Sequence, residues 1–242
     1  MIVVVGSRFD QEALKIVGTW SAWGAALLSA DDLSKPGWRV SPLDWRGSRA
    51  VVGGSVVPVR NIRGVLTRRP QIFAAELGHV SPADREYVAV EMSAFLLCWL
   101  SMLPCPVHNS PTPTCLAGPN WSPQQWVRAA ALAGLRVRPI RARSSEPDEG
   151  HSGRQGAAVV VTVAGDECIG APDEKVAVSA RRLAAAAGVS FLAVRFGLGD
   201  GPPEFMGADP FPDLADSRVV DAVLETLLNS GSVAGAKVGA LA

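Results

Sequence analysis

The chain has 242 residues, 48% of them hydrophobic and 19% charged, a balance that fits a soluble globular protein of one large or two small domains. Its 23 basic and 23 acidic residues cancel, so no global field draws in nucleic acid or an anionic membrane, and neither is expected as a partner. Four cysteines, Cys98, Cys105, Cys115 and Cys168, are too few and too irregularly spaced for a disulfide framework.

The N-terminus, MIVVVGSRF, enters a strand directly, without a basic n-region or a cleavage-site pattern. The longest apolar run, AFLLCWLSML at 94–103, is too short to span a bilayer and reads as a buried helix end. A cytoplasmic location is therefore expected.

In chain order, IVVV at 2–5 is a buried-strand run that stops at Gly6. Asp10 can cap a helix running through Leu14 and Val17, and ALLSADDL then reads as a second strand with its exit loop, giving the β-α-β order of a parallel sheet. AVVGGSVVPV is two β-rich runs joined by Gly53-Gly54, a hairpin signal. IRGVLTRRP is a further strand that ends in Arg68-Arg69.

A long helix is predicted from Ser81-Pro82, with Asp84 at the capping-box position and Pro104 as its stop. After a proline-rich loop, Ser122, Pro123 and Gln125 open a second capped helix that Gly134 closes. Periodicity disappears from Arg141 to Gly156, the composition of a surface loop. Next come a hairpin turning at Gly165-Asp166, a helix closed by Gly188, the strand VSFLAVRF, and EFMGADPFPDL leading into an amphipathic helix from Asp216. The tail beyond residue 230 reads as frayed.

This order of elements resembles the ATP-grasp ligases, above all the microviridin-type peptide ligases and their RimK-like relatives. The matches are Arg68 and Arg69 at a strand end, Glu91 on the long helix, Asn109 and Pro111 in the following loop, and Gly134-Leu135 at the end of the SPQQW helix. The closing segment, VVVTVAGDECIGAP to EFMGADPFPDL, is similar as well; the likeness spans roughly 50–140 and 157–228.

The resemblance implies an α/β fold: a Rossmann-like pre-ATP-grasp domain at 1–118, then a reduced ATP-grasp-like α+β domain at 119–230 lacking most of the lid subdomain, and a flexible tail at 231–242. It also implies ATP-driven carboxylate–amine ligation, for which the family supplies lysines and Mg²⁺ to neutralise the phosphates.

Those groups are where this chain departs. No lysine lies between Lys35 and Lys175, and only the loop 141–156 stands where a lid would be. The family's metal-binding aspartate corresponds to Arg195, its glutamate to Gly207 and its asparagine to Asp209.

The leading expectation is therefore a degenerate ATP-grasp-like protein without ATP or Mg turnover and with no cofactor. It would be a binding or accessory protein for a peptide or an anionic small molecule, working with a partner enzyme or a second copy of itself. Arg68, Arg69, Asn109, Arg195 and Asp209 are its candidate ligand contacts, with no catalytic residue and no metal ligand assigned. Guanidinium forks suit planar anions, while solvated ion pairs at a strand end are the plainer reading for Arg68 and Arg69. A cross-strand structural pair is the plainer reading for Arg195 and Asp209. Two alternatives stand beside this one: a carboxylate–amine ligase using ATP and Mg, minimal or completed by a partner subunit, and a cysteine- or metal-dependent enzyme built on Cys105, His108 and Cys115.

Overall fold

The computed structural model describes residues 1–41, 44–138, 158–197 and 201–229, the side chain of Trp45 excepted. The expected loop at 141–156 and the tail from 231 lie outside the described residues, as do residues 198–200. The chain divides into two compact units: Met1–Asn120 together with the segment from Leu214 onward, and Trp121–Asp213.

The first unit is built on a parallel sheet. Strand β1 (Ile2–Val5) pairs with β2 (Ala26–Leu28) on one side and β5 (Gly64–Thr67) on the other, and β6 (Val107–His108) extends β5, giving the order β2-β1-β5-β6. Every residue of β1 and β5 is buried. Parallel strands covered on both faces need continuous rather than alternating apolar runs, and IVVV and GVLT supply them.

Val3, Val5 and Val65 pack in one cluster with Leu96, Trp99 and Leu100 of helix α3 (Arg85–Met102). Helix α6 (Ser217–Asn229) returns from the far end of the chain to β5. A Cβ at Gly64 would lie 3.0 Å from Cβ of Leu227, so glycine suits that close approach and any side chain would push the helix outwards.

Helix α1 (Gln11–Thr19) begins as the sequence predicts: Asp10 accepts from the amides of Glu12 and Ala13. The segment ALLSADDL divides in two. Strand β2 ends at Leu28, and Ser29 then caps the short helix α2 (Ala30–Leu33) in a box with Asp32. Strands β3 (Arg49–Val52) and β4 (Ser55–Pro58) form the expected hairpin, with Gly53 and Gly54 at φ 57° and 78°, the left-handed pair such a turn requires. Helix α3 starts later than Ser81, because Ser81–Asp84 closes a separate turn through Asp84 N–H to Ser81 O at 2.9 Å.

The second unit is a five-stranded sheet in the order β7-β11-β10-β8-β9. Its strands are β7 (Arg136–Val137), β8 (Ala158–Ala164), β9 (Glu167–Ile169), β10 (Phe191–Gly197) and β11 (Glu204–Asp209). All neighbours are antiparallel except β7 and β11.

Helix α4 (Pro123–Leu132) carries the predicted capping box between Ser122 and Gln125, with Pro123 at its start. Helix α5 (Glu174–Ala187) is capped by Asp173 and closed by Gly188 at φ 66°. Trp126 and Ala130 of α4, and Val176, Ala180 and Leu183 of α5, bury against Val161, Val163, Leu192, Val194, Phe196 and Phe205. The class is α/β, with one parallel sheet, one mixed sheet and the two-stranded antiparallel β3–β4 pair among the described residues. Among the described residues no helix is long and apolar enough to cross a membrane.

Two substitutions test this packing by urea unfolding. Trp99→Ala removes a fully buried ring and is expected to cost about 3–5 kcal/mol. Ser122→Ala removes only a helix cap and is expected to cost about 1 kcal/mol.

Candidate functional site

In an open parallel sheet, ligands gather outside the carboxyl ends of the strands, where the strand order reverses. Here that point lies between β1 and β5, since the chain leaves β1 towards β2 and β5 towards β6. Gly6 and Ser7 leave one strand there, and Arg68 and Arg69 leave the other.

Both arginines are engaged within the protein. Arg68 Nε donates to Asp10 Oδ2 at 3.2 Å, and its guanidinium also pairs with Glu12. Arg69, 3% exposed, donates from Nε to Gln71 O at 2.8 Å and from Nη1 to Gly6 O at 3.3 Å, and it forms an ion pair with Glu76. The guanidinium of Arg69 therefore joins the ends of β1 and β5 directly. Thr67, just before the pair, is buried, and its hydroxyl has no hydrogen-bond partner among the described residues.

Asn109 follows β6 at the same edge of the sheet. It is buried and donates from Nδ2 to Ala117 O at 3.5 Å. His108, also buried, has its pKa lowered from 6.5 to about 4 because burial disfavours the imidazolium. The thiol of Cys105 is pushed up to about 11 by burial, and burial raises that of Cys115 as well. Raised thiol pKa values oppose thiolate formation, so this loop is a poor setting for a cysteine nucleophile. Cys105, His108 and Cys115 also form no metal-binding group, since no cluster of three or more His, Cys, Asp or Glu suited to a metal occurs among the described residues.

In the second unit, helices α4 and α5 pack on the face of the sheet that carries Val194 and Phe196. The opposite face carries Val160, Arg195, Gly207 and Asp209. Arg195 lies directly across from Gly207 and next to Val160, while Asp209 lies across from Ala193. The guanidinium of Arg195 spreads over Gly207: a Cβ there would meet Nη2 at 3.0 Å.

The expected Arg195–Asp209 pair does not form. Asp209 instead accepts the Phe211 amide at 2.9 Å, and Arg195 is exposed without an ion pair among the described residues. Glu204, the remaining acid of β11, pairs with Arg138 at 2.7 Å. These strands thus present one carboxylate beside a guanidinium, a donor set that does not by itself fit Mg²⁺.

No protein-family model matches the chain, and no curated protein is significantly similar to it. Solved structures do match. The ATP-grasp ligase PsnB, complexed with a minimal precursor, superposes with a TM-score of 0.65 at 15% identity, over 92% of this chain and 97% of that one. The macrocyclase MdnC from Microcystis aeruginosa MRC, bound with its precursor peptide MdnA, gives 0.64 at 11% identity, over 95% and 100%. PsnB complexed with a phosphomimetic precursor variant, Mg and ADP gives 0.64 at 16% identity, over 92% and 97%. The fold is that of the ATP-grasp ligases, as the order of elements implies.

The same comparison corrects one expectation. A chain taking no cofactor was inferred from the missing lysines and metal ligands, yet PsnB holds ADP and Mg on this fold. The substitutions at Arg195 and Gly207 describe one pair of strands and do not support a cofactor-free protein.

The histidine gives a pH test. Its folded pKa lies below its unfolded value, so its neutral form is favoured by the fold, and stability is lost as pH falls from 6.5 towards 4. The expected loss is about 3 kcal/mol, and His108→Leu should flatten the urea-midpoint profile over that interval.

Proposed function

We propose that this protein binds a peptide within a peptide-modification system, as an accessory protein with the ATP-grasp fold. The observation that carries the reading is the near-complete overlap with PsnB and MdnC, both of them solved with precursor peptides. In this reading Arg195 and Asp209, on the face of the second sheet turned away from α4 and α5, are ligand contacts. A guanidinium without an ion pair there suits a peptide carboxylate or carbonyl. Arg68, Arg69 and Asn109 hold the carboxyl edge of the first sheet in shape for the same task.

A second reading is a carboxylate–amine ligase using ATP and Mg, alone or completed by a partner subunit. PsnB with ADP and Mg favours it. Under that reading the nucleotide supplies the phosphoryl group that activates the carboxylate, and Arg195 stands beside the anionic groups.

Calorimetry with the short peptides encoded beside the gene, with and without ATP and Mg, separates the readings. The accessory reading predicts that one such peptide binds with micromolar or tighter affinity in the absence of nucleotide, and that Arg195→Ala weakens it roughly tenfold. If none of these peptides binds under either condition, the accessory reading fails. Peptide-dependent release of phosphate would establish the ligase instead.

A further inference from the structure

We infer that the β3–β4 hairpin of the first unit carries an anion-binding pocket for the carboxylates of an acidic peptide segment. This deepens the proposed function and rests on its peptide-binding reading.

The hairpin has two chemically different faces. Ala50, Val52 and Val57 enter the core cluster, while Arg49, Val56 and Pro58 share the other face. Around that second face lies a cavity of about 370 Å³, lined by Arg46, Gly47, Ser48, Arg49, Val56, Pro58 and Arg60. Three guanidinium-bearing residues line it, and no carboxylate is among the described lining residues, the nearest being Asp44 behind Gly47.

A fourth arginine stands beside them. Arg39 and Arg49 exchange both backbone hydrogen bonds, at 3.0 and 2.7 Å, across an isolated antiparallel bridge. Their side chains are therefore directly opposite, and both residues are exposed. Like charges in that position repel and weaken the pairing, so the arrangement is costly without a counter-anion.

Arg39, Arg49 and Arg60 form no ion pair or side-chain hydrogen bond among the described residues. Every described acid bonded to an arginine elsewhere in this unit is bonded to Arg8, Arg68, Arg69 or Arg218. The nearest acid in sequence, Asp44, closes its own turn by accepting the Gly47 amide at 2.9 Å. In a chain whose overall charge is zero, three exposed arginines without an ion pair among the described residues, Arg39, Arg49 and Arg60, gathered at a concave surface are a local feature, not a compositional one.

The floor of the pocket decides between anions. Val56 is 49% exposed and Pro58 lies beside it, so an apolar strip runs between the guanidinium groups. Bare phosphate gains nothing from that strip. A peptide gains by laying its side-chain methylenes on Val56 and Pro58 while its carboxylates reach the arginines, which grip planar carboxylates through paired N–H bonds.

The test is fluorescence anisotropy with a labelled oligo-glutamate peptide on the full-length protein, comparing wild type with an Arg49→Ala/Arg60→Ala double variant. Both side chains are exposed and make no bond among the described residues, so the double variant should keep the wild-type melting temperature. The expected result is binding by wild type that weakens with salt, a loss of about tenfold or more in the double variant, and no binding of oligo-lysine. Equal binding by both proteins overturns the pocket, as does displacement of the peptide by equimolar inorganic phosphate. If wild type ignores oligo-glutamate while a genome-neighbour peptide still binds, the pocket is wrong and peptide recognition stands. If neither binds, both fall.

Discussion

The first unit depends on a buried guanidinium. Arg69 sits where two parallel strands end, bonded to the carbonyl of Gly6 after β1, to the carbonyl of Gln71 and to the carboxylate of Glu76. A parallel sheet leaves its carboxyl edge with carbonyls that no neighbouring strand satisfies, and a charged fork with several donors can bind more than one of them. A buried charge is tolerable only when paired and fully hydrogen-bonded, and Arg69 meets that condition with Glu76. Leu116 N–H then bonds Pro70 O at 2.8 Å, which ties the loop after β6 to the same edge. The order β2-β1-β5-β6 thus has its switch point closed by the protein's own charges.

That closure separates two kinds of arginine. Arg68 and Arg69 are committed to Asp10, Glu12 and Glu76, and serve as architecture. Arg39, Arg49 and Arg60 at or beside the hairpin, and Arg195 in the second unit, are exposed and have no ion pair among the described residues. Charges of the second kind are the ones available to a ligand. The proposed peptide role rests on them and on the fold shared with PsnB and MdnC.

Much of the fold was legible from short-range chemistry. Asp10 and Ser122 each cap the helix they precede, Gly188 closes α5 and Gly53-Gly54 turn the hairpin, because caps and tight turns are decided by a few neighbouring residues. Strands of two residues, β6 and β7, gave no periodicity to detect. The start of α3 was placed too early because Ser81-Pro82 supports a turn as readily as a helix start. The packing of α6 on β5 had no local signal at all: it depends on Gly64 meeting Leu227 across most of the chain.

The site was harder to read. Arg68 and Arg69 could be picked out by family position, but burial and pairing with Glu12 and Glu76 arise only in three dimensions. Arg195 could be aligned with a metal ligand, yet its register opposite Gly207 rather than Asp209 is a property of strand pairing. The hairpin arginines fell in no motif and were missed. The cue that existed was Arg46, Arg49 and Arg60 flanking a hairpin in a chain of zero net charge.

A double-mutant cycle on Arg69 and Glu76, read by urea denaturation, tests the central claim most directly. The account predicts that Arg69→Met and Glu76→Gln each destabilise the protein strongly, by about 3 kcal/mol or more for the arginine. It also predicts that the two losses are far from additive, because each partner left alone is an uncompensated buried charge. Two small, additive losses would contradict it, and would show that the carboxyl edge of the sheet holds together without this ion pair.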